Sequence, residues 1–296
     1  MARSGVGVLT LLMVLAGAPP ASAQRLRGRL LDVESGEPLV AGFVSLLSLD
    51  GTTLVTAVSD RQGQWLLVTP APGSYYVAAQ RVGYRPWVAG PVAVQAGDDL
   101  NAVYHLQRLP VMLDPVEVTA QATKRFLELA GFYARQRADF GHFLTPDFIE
   151  RRQAVRITDL LTALPGVSLV QTGTGSVGRV AVRLRGSNLS EGGLCRPRVF
   201  VDGLLYARGD SRPKRSDPGR ATERSLEEEV QRLDQTLSVD DIGPPSLIAA
   251  IEVYRSASEV PVQFGGASVE TLCGVIVIWT RTGSARVRVP ADSSRR

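Results

Sequence analysis

From residue 24 to about residue 106 the chain alternates apolar and polar positions in short runs, each closed by a turn signal. Leu26, Gly28 and Leu30 open one strand, and Ser35-Gly36-Glu37-Pro38 turns it. Residues 42–47 predict a second strand, Asp50-Gly51 a turn, and 54–58 a third strand. In Asp60-Arg61-Gln62-Gly63-Gln64-Trp65, Asp60 is placed to accept the turn amides. Gly63 can take the positive φ that closes the turn. Pro72-Gly73 introduces Tyr75, Val77 and Ala79 on one face of a strand that ends at Gly83-Tyr84. Turns every 8–12 residues between period-two runs predict an antiparallel sandwich.

The rhythm changes after residue 113. Residues 114–120 read as extended, and 124–137 as a helix with Phe126, Leu127, Ala130 and Tyr133 near a 3.6 spacing. Gly141 breaks the pattern. Thr145-Pro146 is an N-cap followed by an N1 proline, so 147–151 should be a short helix. Thr158 can cap another through Ala163, and Pro165-Gly166-Val167 ends it. Strands then dominate: 180–186, 199–203 with a tight turn at its end, 248–254, and the nearly unbroken apolar run 274–280. Asp240 and Asp241 read as the start of a short helix reaching Ile248. Phe264-Gly265-Gly266 is a turn. The expected fold class is therefore mainly β with an α+β second half.

Composition adds little specificity. The 296 residues carry a net charge of +4, almost all of the positive charge being Arg. No basic run is interleaved with aromatics, as single-strand nucleic-acid binding would want, so nucleic acid is not an expected partner. The amino terminus reads as an export signal: Arg3, an apolar stretch from Val6 to Leu15, and the small residues Ala21-Ser22-Ala23 at a cleavage site. The apolar stretch is short for a spanning helix, and no later one is long enough. In an exported chain two cysteines suggest a bridge. Cys195 and Cys273 each precede a run that reads as a buried strand, so neighbouring strands would bring the sulfurs together; two free buried thiols are the alternative. Such a bridge would stabilise by about 4 kcal/mol on the chain-entropy view.

The first block resembles the carboxypeptidase regulatory-like family, a transthyretin-like (prealbumin-like) seven-stranded sandwich. Gly28, Asp32, Gly36, Pro38, Val44, Asp60, Gly63, Trp65, Pro72, Gly73, Tyr75, Gly83 and Tyr84 carry the likeness. In that family the module is an accessory and not the peptidase. The second block resembles the plug domain of TonB-dependent outer-membrane receptors. Leu160-Leu161 with Pro165-Gly166-Val167, then Arg185-Gly186-Ser187, Val201-Asp202-Gly203, Asp241-Ile242, Ile251-Glu252-Val253, Phe264-Gly265-Gly266 and residues 274–280 follow the family order. Arg185, Gly186, Asp202 and Gly203 would be its plug motif. The resemblance implies that Asp114, Pro115, Val116, Glu117, Val118 and Thr119 correspond to the TonB-box region, which pairs with an energy transducer.

The expected organisation is an export signal over 1–23, a sandwich over 24–106, a linker with the TonB-box-like segment over 107–123, a plug-like domain over 124–283 and a tail over 284–296. Within the plug-like part, 208–235 is a charged insertion beyond the family pattern. It reads as a solvated loop or, over 225–236, as an amphipathic helix bearing Leu226, Val230 and Leu233. Thirteen residues follow Gly283. A receptor barrel takes about 22 strands of roughly ten residues each, so this stretch is not expected to build one.

Catalytic chemistry is not visible. His105 and His142 are far apart and lack a helical His-Glu pairing, so neither metal ligation nor a bound cofactor is expected. Neither cysteine has a local base. The glycines from Gly173 to Gly178 lack the Lys-Ser/Thr ending of a phosphate loop. The expectation is a non-enzymatic protein of the periplasm, at or near the outer membrane, acting in docking or in an outer-membrane transport assembly. Its expected partners are a TonB-like transducer or a separate barrel. Three other readings stay open: a peptidase remnant, a shortened receptor, and a carbohydrate- or peptide-binding accessory using Tyr76 and Trp87.

Overall fold

The computed structural model describes residues 24–109, 116–172, 179–184, 195–209 and 237–281. The predicted export signal, Arg185, Gly186, most of the charged insertion and the tail lie outside them.

The first block forms seven strands: β1 (Arg25–Asp32), β2 (Phe43–Leu47), β3 (Thr53–Val58), β4 (Gln64–Val68), β5 (Gly73–Gln80), β6 (Trp87–Val94) and β7 (Asp99–Leu106). They pair as a three-stranded sheet, β4-β1-β7, facing a four-stranded sheet, β3-β2-β5-β6. The pairing is antiparallel except between β1 and β7, which run parallel. The purely antiparallel expectation is corrected there: β7 returns to the free side of β1 after a long excursion through the other sheet. Leu26, Leu30, Val44, Leu46, Trp65, Leu67, Val77 and Ala79 fill the space between the sheets. The Asp60 turn forms as predicted. Its carboxylate accepts the Gln62 and Gln64 amides at 2.9 and 2.7 Å, and Gly63 has φ 73°.

In the second block a five-stranded sheet has the order β12-β11-β14-β13-β8. Its strands are β8 (His142–Leu144), β11 (Arg198–Val201), β12 (Leu204–Ala207), β13 (Ile248–Tyr254) and β14 (Val275–Thr280). A separate hairpin pairs β9 (Val167–Thr172) with β10 (Arg179–Leu184). Helices α1 (Val116–Leu129), α2 (Phe132–Arg137), α3 (Pro146–Arg152) and α4 (Ile157–Leu161) complete it.

Every residue of β13 and β14 is buried, because both sheet faces are covered. That explains their unbroken apolar sequences. Ile251, Val253, Ile276 and Ile278 face a core shared with α3, α4 and the hairpin. Ala250, Tyr254, Val275, Val277 and Trp279 face Leu127 of α1 and Phe132 of α2.

Several expectations need correction. The single helix over 124–137 is two helices, because Gly131 adopts φ 76° and ends the α1 hydrogen-bond ladder. Residues Val116, Glu117, Val118 and Thr119 are helical and not extended. No breaker separates them from the periodic helix, and a formed helix propagates cheaply into adjacent turns. Asp114 and Pro115 lie outside the described residues. Thr145 caps α3 as predicted. Thr158, however, is inside α4, with Arg156 at the cap. The sequence between Gly141 and Phe143 reads as a loop around His142, but His142 opens β8. Residues 239–247 form two 3₁₀ turns, Val239–Asp241 and Pro245–Leu247, and not one helix; Gly243-Pro244 stands between them.

The four-stranded sandwich sheet is also covered on its outward side around β2. Val44 and Leu46 point into the sandwich, while Phe43 and Val58 join the core of the second block.

Candidate functional site

The described elements that the sequence singled out are distributed over the two ends and the middle of the five-stranded sheet. Strands β11 and β14 run parallel, with Arg198 opposite Val275. Cys195 and Cys273 therefore precede adjacent strand starts, and they form a disulfide with the Cα atoms 5.3 Å apart. At the far end of β11, Asp202 and Gly203 have φ of 49° and 87°. Two consecutive positive-φ residues between Val201 and Leu204 make a two-residue hairpin turn whose twist suits the strands it joins.

The Asp202 side chain turns back onto β14. Its carboxylate accepts the Thr280 amide at 2.8 Å and the Thr280 hydroxyl at 2.7 Å. The Asp202 amide donates to the Ile278 carbonyl at 2.9 Å. Burial outweighs these bonds and pushes the carboxyl up to about 6. The Val-Asp-Gly signature thus ties one edge hairpin to the central strand.

Glu252, at the middle of β13, is fully buried. Arg135 of α2 reaches across the sheet to it with a two-pronged contact, Nε to Oε2 at 2.8 Å and Nη2 to Oε1 at 2.6 Å. The Trp279 indole N–H donates to the same carboxylate at 2.6 Å, and the Tyr254 hydroxyl makes a very short contact with it. The guanidinium lies 5.3 Å from the Phe264 ring centre and 5.7 Å from that of Trp279. A buried carboxylate is tolerated only with such a complete set of donors. Burial is the main cause that raises the Tyr254 hydroxyl, and Glu252 adds to it.

A third tie was missed from sequence in its role. Asp240 accepts the Thr158 amide and hydroxyl, both at 2.9 Å, so it caps α4 from 82 residues away. The adjacency of Asp240 and Asp241 hinted only at a local cap. Asp241 does make one, accepting the Ser238 amide at 2.8 Å.

In the sandwich, Asp32 accepts Tyr84 Oη at 2.8 Å and Arg108 Nε at 2.6 Å. The Arg108 guanidinium holds this carboxyl well below the usual carboxylate range. The cluster pins the last strand and the exit of the sandwich to β1. Trp87 is half-buried, with its ring 4.5 Å from that of Tyr104, so it serves packing. Tyr76 is also half-buried.

The described residues hold no group of three or more His, Cys, Asp or Glu side chains that could hold a metal. A shallow cleft lies between β10, β12 and Val239; Val180, Val182, Val199 and Tyr206 line it, with Arg196 and Arg208. No helix of the described residues is long and apolar enough to cross a membrane. These arrangements cap, clamp and cross-link.

Residues 25–107 match the carboxypeptidase regulatory-like domain family, and residues 142–269 match the TonB-dependent receptor plug domain family. The chain carries the two domains in that order. No curated protein matches it. Among solved structures, similarity extends to BcpA, the major pilin subunit of Bacillus cereus. That match has 13% identity and a TM-score of 0.26, over 30% of this chain and 31% of the pilin. A putative carbohydrate binding protein from Bacteroides uniformis matches at 16% identity and TM-score 0.24, over 28% and 40% of the respective chains. Klebsiella pneumoniae 5-hydroxyisourate hydrolase matches at 22% identity and TM-score 0.23, over 29% of this chain and 92% of the hydrolase. The chain spans less than half the length of the pilin and of the carbohydrate binding protein.

Proposed function

We propose that this TonB-dependent receptor-like module is a non-enzymatic docking protein of the bacterial envelope. Its plug-like domain engages a separate outer-membrane barrel or an energy-transducing protein. The order of the two domains, a regulatory-like sandwich in front of a plug, carries this reading.

The segment Asp114, Pro115, Val116, Glu117, Val118 and Thr119 is the proposed handle for a transducer. A transducer that adds a strand beside it must first unwind the start of α1, since Val116–Leu129 is helical. The cost is small for a first helical turn, whose amides have no partners within the helix. The sheet behind the handle would stay intact, because Arg135 and Glu252 clamp α2 to β13.

The test is direct binding of the full chain to the purified periplasmic domain of a TonB-like transducer, followed by calorimetry. Saturable binding is expected, weakened at least tenfold by Val118→Pro, which removes a backbone donor from the paired strand. Absence of binding both to the transducer and to barrels in detergent-solubilised outer membranes would contradict the proposal. A parallel peptidase assay with metal analysis checks the non-enzymatic part; stoichiometric zinc with peptide cleavage would overturn it.

A further inference from the structure

Around β2 the outward face of the four-stranded sandwich sheet is buried like its inward face, while Leu54 and Ser74 on the same face are exposed. Every residue of β2 is buried, including Phe43, Ser45 and Leu47, which alternate with the core-facing Val44 and Leu46. In a free two-sheet sandwich such alternate positions face water and are polar. Here Phe43, Val58 and Ala41 belong to the core that also holds Tyr206, Val239, Ile242 and Ile248 of the second domain. The Phe43 and Tyr206 rings meet edge-on with centres 6.2 Å apart. Arg61 of the Asp60 turn reaches Asp241 at 3.6 Å, and Val82 packs against the same core.

We infer that the two domains are energetically coupled through this face, so that the sandwich is a structural part of the plug and not a tethered accessory. The physical warrant is one contiguous buried core to which both domains contribute side chains. Removing the sandwich would expose Phe43 and Val58 on one side and Tyr206, Val239 and Ile242 on the other. Burying such groups is the dominant favourable term in folding. The contact falls on edge strand β12 and on the 3₁₀ turn whose Asp240 caps α4. A load or ligand on the sandwich therefore acts on the plug sheet through side-chain packing and does not depend on the 110–115 connection. This coupling holds whether or not the plug-like domain meets a barrel or a transducer.

Native-state hydrogen exchange on the full chain, resolved by peptide, tests it. In the unmodified protein the amides of β2 and β5 and those of β13 and β14 should open in one cooperative unit, with a common denaturant dependence. Phe43→Ser, in the sandwich, should speed exchange on the order of tenfold at Leu204–Ala207 and Val239–Asp241. Tyr206→Leu, in the plug, should do the same at β2 and β3. Two separate opening units in the unmodified chain would overturn the inference, with no variant required to fold. So would variant effects confined to the substituted domain.

Discussion

At the residue scale, a few buried charges depend on partners from distant parts of the chain. Removing one member of the Arg135–Glu252 pair leaves the other buried and uncompensated. Arg135→Met should cost about 3–5 kcal/mol in denaturant unfolding, and the double variant Arg135→Met with Glu252→Leu should recover much of that loss. A double variant no more stable than the single one would show that the carboxylate is not held by the guanidinium. Asp202 makes a pH prediction. Its folded pKa is about 6 against an ordinary 3.8, so the folded state keeps a proton that the unfolded chain releases. Its contribution therefore falls as pH rises from about 4 to about 6, by roughly 2–3 kcal/mol, and Asp202→Asn should flatten that part of the stability profile. Asp32 acts in the opposite direction: its lowered pKa stabilises above about 4, and that stability is lost as pH falls further. Thermal melts between pH 3 and pH 7 separate the two.

Sequence reasoning reached these residues unevenly. Asp60 and Gly63 were legible because a turn is a local device, fixed by neighbours within four positions. Asp202-Gly203 was legible as a turn, but its bonds to Thr280 were not, because 78 residues separate the partners. Glu252 was visible only as part of a family signature. Nothing near it in sequence shows that Arg135 lies opposite, 117 residues away.

At the scale of elements, period-two patterns located β1, β2, β3 and β5, each of which has a turn signal close by, and did not place β4, β6 and β7. The pattern failed where a backbone device outweighed periodicity. Gly131 splits a stretch with uniform helical spacing, and its left-handed φ is open to glycine at low cost. Gly131→Ala should therefore destabilise by about 1 kcal/mol or more and not rigidify the helix. A Cβ there would also approach Arg135 Nη1 to 2.7 Å, disturbing the clamp. Strand β12 was missed because it is four residues long and ends where the charged insertion begins. The cysteine bridge was readable from neighbouring strand starts, and the parallel pairing of β11 with β14 supplies that neighbourhood. Reduction should lower unfolding stability by about 4 kcal/mol and leave the pairing of the sandwich strands unchanged. Calorimetry with and without a thiol reductant measures it.

At the scale of the whole molecule, the sandwich and the plug-like domain share one buried apolar core where they meet. Period-two reading treats one side of each strand as solvent-facing, so it could not show that β2 is buried on both sides. The second domain hides the faces that its sheet needs for stability. The start of α1 follows directly on residues 110–115, which join the two domains in sequence. That placement suits a handle at the junction of the two domains, next to a plug whose own sheet is clamped.

The central claim is that this surface meets a partner in the envelope. Because Cys195 and Cys273 are bonded to each other, a cysteine introduced at Val116 would be a unique free thiol. Treating intact cells that carry this variant with a short bifunctional cross-linker tests the claim most directly. The account predicts one dominant adduct, containing an outer-membrane barrel or a transducer, that is absent when the cysteine is placed at Arg27 on the outer sheet of the sandwich. A thiol that stays unmodified by any envelope protein, or adducts of equal pattern from both positions, would contradict it.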